Sequence, residues 1–379
     1  MSGSCKKLGL ITYHSAYNFG SVLQALATQQ KLLDLGHEVE VIDYRPAEGD
    51  RYYKALYRAY QGPKAFLADL TMLPVARLRR ERARLFEKFI AENLNLTDST
   101  FKEPDDLLAI SDRYAVVVSG SDQIFNKKSN ELARVGWEYM NPYLLTWQKG
   151  HKVSYASSPS DMSDDGLRRI ARELQSFDAL SCREEDGAAR MGKATGREIP
   201  VVCDPTLLLD SNRWNSLVPS VPNKLKGGYL LYYSLLRPRG AFEEMKALVR
   251  LSVRLGLPVV VLTPLAGNVP KDEHLVNALA SGPAEFLSLL RGAVGVVTES
   301  YHGTLFSINY HKPVWVIERS EGADTRRLQV LKKLGLQDLA VSSVDAIEDI
   351  AQPDYAMADE RLMAYRMESI EYLKQALRA

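Results

Sequence analysis

Short apolar runs alternate with segments of helical periodicity along most of the chain, and this alternation limits the fold more than any other feature. Strands that are joined by helices pair in parallel, and the helices then cover both faces of the sheet. The runs predicted as strands are Leu8–Thr12, Val39–Tyr44, Tyr114–Ser119, Lys152–Ala156, Ala179–Arg183, Val201–Cys203, Tyr229–Leu235, Val259–Thr263, Val294–Thr298 and Val314–Ile317. The sequence therefore predicts an α/β fold with parallel sheets.

The intervening segments place apolar residues at helical spacing. Ser21 is predicted to cap the first helix, and Gly36 is predicted to end it. The other predicted helices are Asp164–Leu174, Glu185–Met191, Phe242–Leu255, Ala284–Arg291, His302–Tyr310 and Asp359–Ala379.

A length of 379 residues favours two domains. Residues 210–228 are rich in Pro, Gly, Asn and Ser, so they are predicted to be a linker. The prediction is a Rossmann-like domain over 1–209 with a basic helical insertion at 51–96, a second over 229–358, and a C-terminal helix over 359–379. Ligands of such sheets bind outside the carboxyl ends of the strands, so we expect the active site in the cleft between the domains.

Composition excludes several classes of protein. Forty-eight basic and forty-seven acidic side chains give a net charge of +1, which does not fit a nucleic-acid binder. The three cysteines form no C-x-x-C pair and favour no disulfide framework. We find no signal peptide and no run approaching the roughly 18 apolar residues of a membrane span. The expected location is cytoplasmic.

The loop after the first predicted strand carries His14, Asn18 and Gly20. Gly20 allows the backbone to approach a ligand closely, and the following helix start suits an anion. We therefore predict ligand contact by this loop, with an ordinary strand–helix turn as the alternative.

The loop after the third strand, SGSDQIFN, is densely polar. Ser121, Asp122, Gln123 and Asn126 combine hydrogen-bond donors and acceptors, as a sugar hydroxyl requires. The alternative is an Asx turn that caps a helix.

Two further strand ends carry groups suited to an anionic substrate and to proton transfer. Arg183 offers the planar fork of donors that matches a carboxylate or phosphate, although its acidic neighbours could pair with it instead. His302 lies between a strand and a helix start, and histidine exchanges protons near neutral pH. We predict anion binding by Arg183 and proton transfer by His302.

Motifs of several other enzyme classes are absent from the sequence. It contains no G-x-x-x-x-G-K-[ST] phosphate loop, no H-E-x-x-H zinc motif and no G-x-S-x-G nucleophile elbow. The six histidines are not clustered at the spacings of metal ligands, so no metal is predicted.

Six segments together resemble the polysaccharide pyruvyl transferase family. In chain order they are NFGSVLQ, SGSDQIFN, SYASS, SCREEDG, CDPTLLL and ESYHGTLFSINYHKP. The resemblance extends from about Gly9 to Leu336. It implies a two-domain fold similar to GT-B glycosyltransferases and the transfer of pyruvate from phosphoenolpyruvate to a sugar, often as a cyclic ketal in a bacterial surface polysaccharide such as a capsule or exopolysaccharide.

The resemblance also implies roles for individual residues. His302 matches the general acid of the family, and Arg183 matches an arginine that holds the anionic donor. Where some members carry a donor-binding arginine this chain has Ser300, and Arg326 is the candidate substitute. The donor set is completed by Tyr301, Gly303, Asn18 and Gly20.

Asp122 is expected to orient or deprotonate the sugar hydroxyl. His14, Ser121, Gln123 and Asn126 are expected to bind the acceptor, which is a sugar or a lipid-linked glycan. Phosphoenolpyruvate is the donor substrate, and the scheme requires no metal or organic cofactor.

Two other functions stay open at this point. One is a nucleotide-sugar glycosyltransferase of the same architecture, acting in surface polysaccharide assembly. The other is a non-enzymatic protein that binds sugars or anions. A screen of donor substrates distinguishes the three.

The insertion is basic and rich in aromatic residues. Six of its basic residues crowd one helix, namely Arg77, Arg79, Arg80, Arg82, Arg84 and Lys88, and four tyrosines lie upstream, namely Tyr52, Tyr53, Tyr57 and Tyr60. One interpretation is a peripheral contact with the inner face of the membrane through 51–93. The alternatives are a solvated helical face, a lid or a subunit contact.

Overall fold

The computed structural model describes residues 7–47, 70, 73–222, 225, 227–235, 238–263, 269–318 and 326–378. Contacts divide these residues into two compact units. The first unit takes the described residues within Met1–Tyr53, Glu87–Leu209 and Met363–Ala379, and the second takes those within Lys54–Phe86 and Asp210–Leu362. Residues 51–69, 71 and 72 of the predicted insertion, which include its four tyrosines, lie outside the described residues.

The first unit is built on a four-stranded parallel sheet with the strand order β2-β1-β3-β4. Its strands are β1 (Lys7–Ile11), β2 (Glu38–Val41), β3 (Val116–Ser119) and β4 (His151–Ser154). Its helices are α1 (Phe19–Asp34), the end of α2 (Ala76–Asn93), α3 (Asp164–Arg169), α4 (Ala171–Gln175), α5 (Glu185–Thr195) and α6 (Pro205–Leu208). Since β1 and β3 are apolar and buried almost throughout, helices and loops cover both faces of the sheet.

Helix α1 begins earlier than the sequence predicts. The cap is Asn18, whose side chain accepts a hydrogen bond from the backbone N–H of Gly20 at 2.9 Å, so the prediction of Ser21 as the cap is wrong. Ser21 lies inside the first turn and donates to Asp122 instead. The predicted stop is confirmed, because Gly36 follows the helix with a φ of +86°.

Three other segments differ from the prediction. Residues 179–183 and 201–203 form only isolated bridges, Val153 with Ala179 and Cys182 with Val201, rather than strands. Residues 164–174 form two short helices, α3 and α4. The predicted linker contains a helix, α7 (Ser211–Leu217), which Asp210 caps and whose Trp214 is fully buried.

The second unit has a six-stranded parallel sheet with the order β7-β6-β5-β8-β9-β10. Its strands are β5 (Leu230–Tyr233), β6 (Val259–Leu262), β7 (Leu275–Asn277), β8 (Gly295–Thr298), β9 (Val314–Ile317) and β10 (Ala340–Val341). Its helices are the start of α2, α7, α8 (Pro238–Leu255), α9 (Pro283–Gly292), α10 (Tyr301–Asn309), α11 (Arg326–Leu334) and the start of α12 (Ala356–Ala376). The rest of α12 belongs to the first unit.

This strand order is that of a doubly wound Rossmann sheet. The chain starts in the middle at β5, builds outward to β7, and then returns to add β8 on the other side. Ligands of such sheets bind where the direction of winding reverses, here between β5 and β8. The predicted α/β fold with two Rossmann-like units is confirmed, and an active site between the units stays a prediction.

Candidate functional site

The switch point of the second unit carries a carboxylate that is held in place. The last residues of β5 and β8, Tyr233 and Thr298, are paired in register. The residues that follow these two strand ends, Ser234 and Glu299, are also in contact, because Ser234 Oγ donates a hydrogen bond to Glu299 Oε1 at 2.6 Å. A half-buried acidic group therefore lies at the point where the fold favours a ligand.

His302 lies on the first turn of α10, directly after this point, and is 7% exposed. Ser300 caps the helix by accepting a hydrogen bond from the N–H of Gly303 at 3.3 Å, and the N–H of Ser300 donates to Thr298 Oγ1 at 3.0 Å. The ring of Tyr301 meets the imidazole edge to face at 5.3 Å. The structure thus brings His302, Ser300, Tyr301 and Gly303 together on one turn.

Arg326 reaches the same turn from α11. Its guanidinium carbon lies 5.6 Å from the centre of the Tyr301 ring, within the range of a cation–π contact. The predicted substitute for the missing arginine is therefore close to the His302 turn, and its contact with a donor stays a prediction.

A cluster of buried aromatic rings packs against α10. Phe306 of α10 contacts Trp214 at 5.1 Å and Phe286 at 5.8 Å, and Phe286 contacts Tyr233 at 5.1 Å, all between ring centres. These side chains are fully buried, so the turn that carries His302 rests on a rigid base.

Gly303 allows α10 to lie against the sheet. A Cβ atom at this position would lie 2.5 Å from Thr298 Oγ1 and 2.8 Å from Tyr233 Cδ1. We expect Gly303→Ala to lower the free energy of unfolding by about 1–3 kcal/mol, although alanine is the better helix former. Chemical denaturation measures this effect, and an unchanged or raised stability would contradict the close packing.

In the first unit the direction of winding reverses between β1 and β3. Asp122 lies in the loop that follows β3 and contacts several residues around this point. Its carboxylate accepts hydrogen bonds from Ser21 Oγ at 2.5 Å, from the N–H of Gln123 at 2.8 Å and from Arg183 Nη2 at 3.3 Å. Asp122 has a φ of +75°, and the preceding Gly120–Ser121 peptide is cis. Gly120 is required because a Cβ atom there would lie 2.2 Å from the carbonyl oxygen of Tyr155.

Arg183 is buried among three carboxylates. Besides Asp122, its guanidinium contacts Asp204 Oδ2 at 3.0 Å and Glu184 Oε2 at 3.7 Å, and its side chain is 1% exposed. Asp204 in turn accepts from the backbone N–H and the hydroxyl of Thr206. Of the acidic neighbours in sequence only Glu184 contacts Arg183, and the two nearer partners, Asp122 and Asp204, come from other loops. A contact of Arg183 with the donor stays a prediction.

The residues predicted to bind the acceptor form hydrogen bonds with other residues of the first unit. His14 is fully buried, with Nε2 2.7 Å from Asp43 Oδ1 and Nδ1 3.3 Å from the carbonyl oxygen of Thr12. The Ser121 hydroxyl donates to the carbonyl oxygen of Ala156 at 2.7 Å. Burial therefore disfavours direct contact with an acceptor for His14 and Ser121 in this conformation.

Gln123 and Asn126 lie on a turn. Asn126 Nδ2 donates to Gln123 Oε1 at 3.0 Å and to Asp161 Oδ1 at 2.8 Å, and Asn126 Oδ1 accepts from the N–H of Lys128. This is the Asx turn named above as the alternative, without a helix after it. Acceptor binding by these two residues stays a prediction.

Asp43 has an unusual titration. Burial opposes its ionisation, but hydrogen bonds from His14, Arg45 and Thr100 outweigh burial and hold the pKa of the Asp43 carboxyl well below its ordinary value. The Asp43 carboxylate therefore stays ionised at acidic pH, and its hydrogen bond with His14 holds the loop after β1 in place.

Sequence reasoning missed several members of these two sites. The sequence pattern predicts only a helical position for Ser21 and Gln24. Gln24 nevertheless connects two loops, because it donates to Thr12 Oγ1 at 2.7 Å and accepts from the N–H of Ser121 at 3.0 Å. Glu299 precedes the helix cap by one residue. Inspecting the first residue after each predicted strand would have found Glu299, whereas Ser234 lies inside the predicted strand Tyr229–Leu235, which the structure ends at Tyr233.

The described ranges offer neither a metal site nor a membrane span. They contain no group of three or more His, Cys, Asp or Glu side chains that could hold a metal ion. Likewise, none of the helices in that part of the chain has the length and apolar character needed to cross a membrane.

Comparison with known proteins gives the family. The fold and site define a two-unit parallel α/β protein with a histidine at a Rossmann switch point. A sequence model of the polysaccharide pyruvyl transferase family matches residues 18–321, which is well over half of the chain. The chain belongs to this family, and it is accordingly a transferase.

Solved structures that resemble the chain include sugar-nucleotide enzymes. A putative UDP-N-acetylglucosamine 2-epimerase from Listeria monocytogenes has 11% identity and a TM-score of 0.48, with 96% of each chain covered. The UDP-GlcNAc 2-epimerase from Methanocaldococcus jannaschii has 10% identity and a TM-score of 0.48, covering 95% of this chain and 91% of that one. The glycosyltransferase SnogD from Streptomyces nogalater has 14% identity and a TM-score of 0.42, covering 99% and 100%. No curated protein sequence matches the chain.

Proposed function

We propose that this enzyme transfers a pyruvyl group from phosphoenolpyruvate to a pair of hydroxyls on a sugar, forming a ketal in bacterial polysaccharide biosynthesis. The observation that carries the proposal is the placement of His302 on the first turn of α10, at the switch point of the second sheet. Membership of the family supports the same chemistry.

The donor would bind at the start of α10. Phosphoenolpyruvate is a compact polyanion, and the first N–H groups of a helix favour negative charge. Ser300, Tyr301 and Gly303 shape this turn, and Arg326 supplies a cation beside it. Asn18, Gly20 and Arg183 of the first unit complete the proposed donor set.

His302 would act as the general acid. Its proton passes to the methylene carbon of phosphoenolpyruvate, which leaves an oxocarbenium-like centre at the neighbouring carbon. A sugar hydroxyl attacks that carbon, phosphate leaves, and a second hydroxyl closes the ketal. Asp122 would orient the acceptor, with His14, Ser121, Gln123 and Asn126 nearby in the first unit.

A donor screen tests this proposal. The protein is incubated with phosphoenolpyruvate or with a UDP-sugar, each with a panel of methyl glycosides that includes galactosides and mannosides. We expect phosphate release from phosphoenolpyruvate that depends on a glycoside. Release of UDP would overturn the proposal in favour of glycosyl transfer, and release of neither would overturn it in favour of a binding protein.

We also propose that α2 contacts an anionic membrane. Arg77, Arg80, Arg84 and Lys88 are exposed and recur at helical spacing, so they form one basic stripe. Leu73, just before the helix, is 60% exposed. Arg82 is not part of this stripe, because it is buried, donates to the carbonyl oxygen of Ser281 and lies over the Phe86 ring.

Acidic residues neutralise part of the stripe. Arg84 pairs with Glu81 at 2.7 Å, and Lys88 lies 3.8 Å from Glu92. The substitutions Arg77→Gln and Arg80→Gln should therefore have the largest effect, at about 1 kcal/mol each near an anionic surface.

Sedimentation with phosphatidylglycerol vesicles tests the membrane contact. We expect the wild type to pellet at low salt and to be released at high salt, because salt screens exposed charges. Arg77→Gln/Arg80→Gln should stay in solution, whereas a control that removes two exposed charges elsewhere, Arg172→Gln/Lys193→Gln, should pellet. A wild type that stays in solution at low salt, or a control that behaves like the first variant, would contradict the contact.

A further inference from the structure

Glu299 occupies a position that the donor chemistry does not explain. It follows β8 directly and precedes the α10 cap, so it lies three residues before His302. Phosphoenolpyruvate is anionic, and a carboxylate beside it opposes its binding. Because the Glu299 carboxylate would weaken donor binding, its place at the switch point calls for a different role.

The contact with Ser234 orients this carboxylate. Ser234 is fully buried, and its hydroxyl donates to Glu299 Oε1 at 2.6 Å. Ser234 and Glu299 follow the two paired strand ends between which the winding reverses. The hydrogen bond therefore fixes one oxygen of the Glu299 carboxylate beside the ends of β5 and β8.

We infer that Glu299 is the general base that accepts the proton of the attacking sugar hydroxyl. The inference rests on the proposed function and adds the acceptor side of the reaction to the same turn that carries the acid. A carboxylate suits this task, because in its ionised form it accepts hydrogen bonds and can take up a proton.

The proton balance of the reaction then closes within one site. His302 gives a proton to the methylene carbon, and a C–O bond forms between the first hydroxyl and the neighbouring carbon while the hydroxyl proton passes to Glu299. The bond from that carbon to the phosphate oxygen breaks, and the oxygen keeps the electron pair. The second hydroxyl then forms its C–O bond, and its proton leaves with the phosphate. Glu299 returns its proton to His302 through solvent, so no other reactant is consumed.

Asp122 is less suited to be this base. Its carboxylate already accepts from Ser21, from a backbone N–H and from Arg183, so it is held as part of a buried structure in the first unit. Glu299 is half-buried, and it belongs to the same unit as His302.

The test compares Glu299→Gln, Ser234→Ala and the matched control Glu273→Gln, whose carboxylate is 89% exposed. Turnover is measured with phosphoenolpyruvate and the methyl glycoside that the wild type uses best, and donor affinity is measured by calorimetry. Glu299→Asp is a second variant that keeps a carboxylate, and thermal melts confirm that each protein is folded.

We expect Glu299→Gln to lower kcat by about 10²-fold or more and to remove the acidic limb of the pH profile. Its affinity for phosphoenolpyruvate should be equal or higher, because a negative charge has been removed. Ser234→Ala should lower kcat to a smaller extent, Glu299→Asp should keep the acidic limb, and the control should match the wild type.

Two results would overturn the inference. One is a Glu299→Gln variant with near-normal kcat and an unchanged pH profile. The other is a tenfold loss of donor affinity with kcat preserved, which would make Glu299 a donor-binding group. Both differ from failure of the proposed function, in which the wild type itself releases no phosphate from phosphoenolpyruvate.

Discussion

Replacement of His302 by asparagine is expected to lower turnover by about 10²–10⁴-fold while the protein stays folded. Asparagine retains hydrogen-bonding groups but cannot deliver a proton to carbon. The residue lies on the first turn of α10, and the aromatic cluster beneath that helix does not depend on the imidazole. Steady-state phosphate release measures the loss, and a thermal melt checks the fold.

A second histidine of the same unit provides the control. His311 follows α10, and its Nε2 lies 2.8 Å from Asp359 Oδ1 on the surface. His311→Asn should keep normal turnover. A His302→Asn variant with near-normal turnover and an unchanged pH profile would refute the role as general acid.

Replacement of Arg183 by alanine is expected to lower the free energy of unfolding by about 3–5 kcal/mol. The guanidinium is the cation among the buried carboxylates of Asp122, Asp204 and Glu184. Its removal leaves acidic groups close together without compensation, and charges that are buried unpaired are strongly destabilising. Urea denaturation of the variant and the wild type measures the difference.

A double variant and a surface control show whether charge is the cause. Arg183→Ala/Asp204→Asn should be more stable than Arg183→Ala alone, because one of the unpaired charges is removed. Arg168→Ala breaks only an exposed pair with Asp165 and should change stability by less than about 1 kcal/mol. A loss of under 1 kcal/mol for Arg183→Ala would contradict the account of a buried ionic cluster.

The sheets were predictable because their signal is local. β3, β6 and β8 are apolar runs of buried parallel strands bounded by polar loops, and the alternation with helices gave the fold class. Gly36 ended the first helix as glycine commonly does.

The wrong predictions of secondary structure have two causes. Either two residues close in sequence compete for the same role, or the outcome depends on contacts with residues far away in the sequence. Asn18 and Ser21 are both good helix caps three positions apart, and the contact of Ser21 with Asp122, 101 residues away, decides between them. Residues 179–183 have strand composition, but they make only single bridges, at Ala179 and Cys182, and the Arg183 side chain at the end of the segment joins the ionic cluster.

The candidate site was predictable in part. His302 could be found because it lies four residues after the end of a strand, on the first turn of the next helix, a position that strand-end reasoning inspects. The burial of His14 and Arg183 could not be found this way, since it depends on Asp43, Asp122 and Asp204, which come from separate loops.

The most direct test of the account follows the three carbons of the donor. Phosphoenolpyruvate labelled with ¹³C in all carbons is incubated with the protein, an unlabelled UDP-hexose and the methyl glycoside panel, and the products are analysed by mass spectrometry and NMR. We predict that the three labelled carbons appear together in one glycoside, with a methyl group and a ketal carbon bonded to two sugar oxygens, and that His302→Asn does not form this product. Label that stays in phosphoenolpyruvate while a UDP-sugar adds a hexose to the same glycosides would contradict the account.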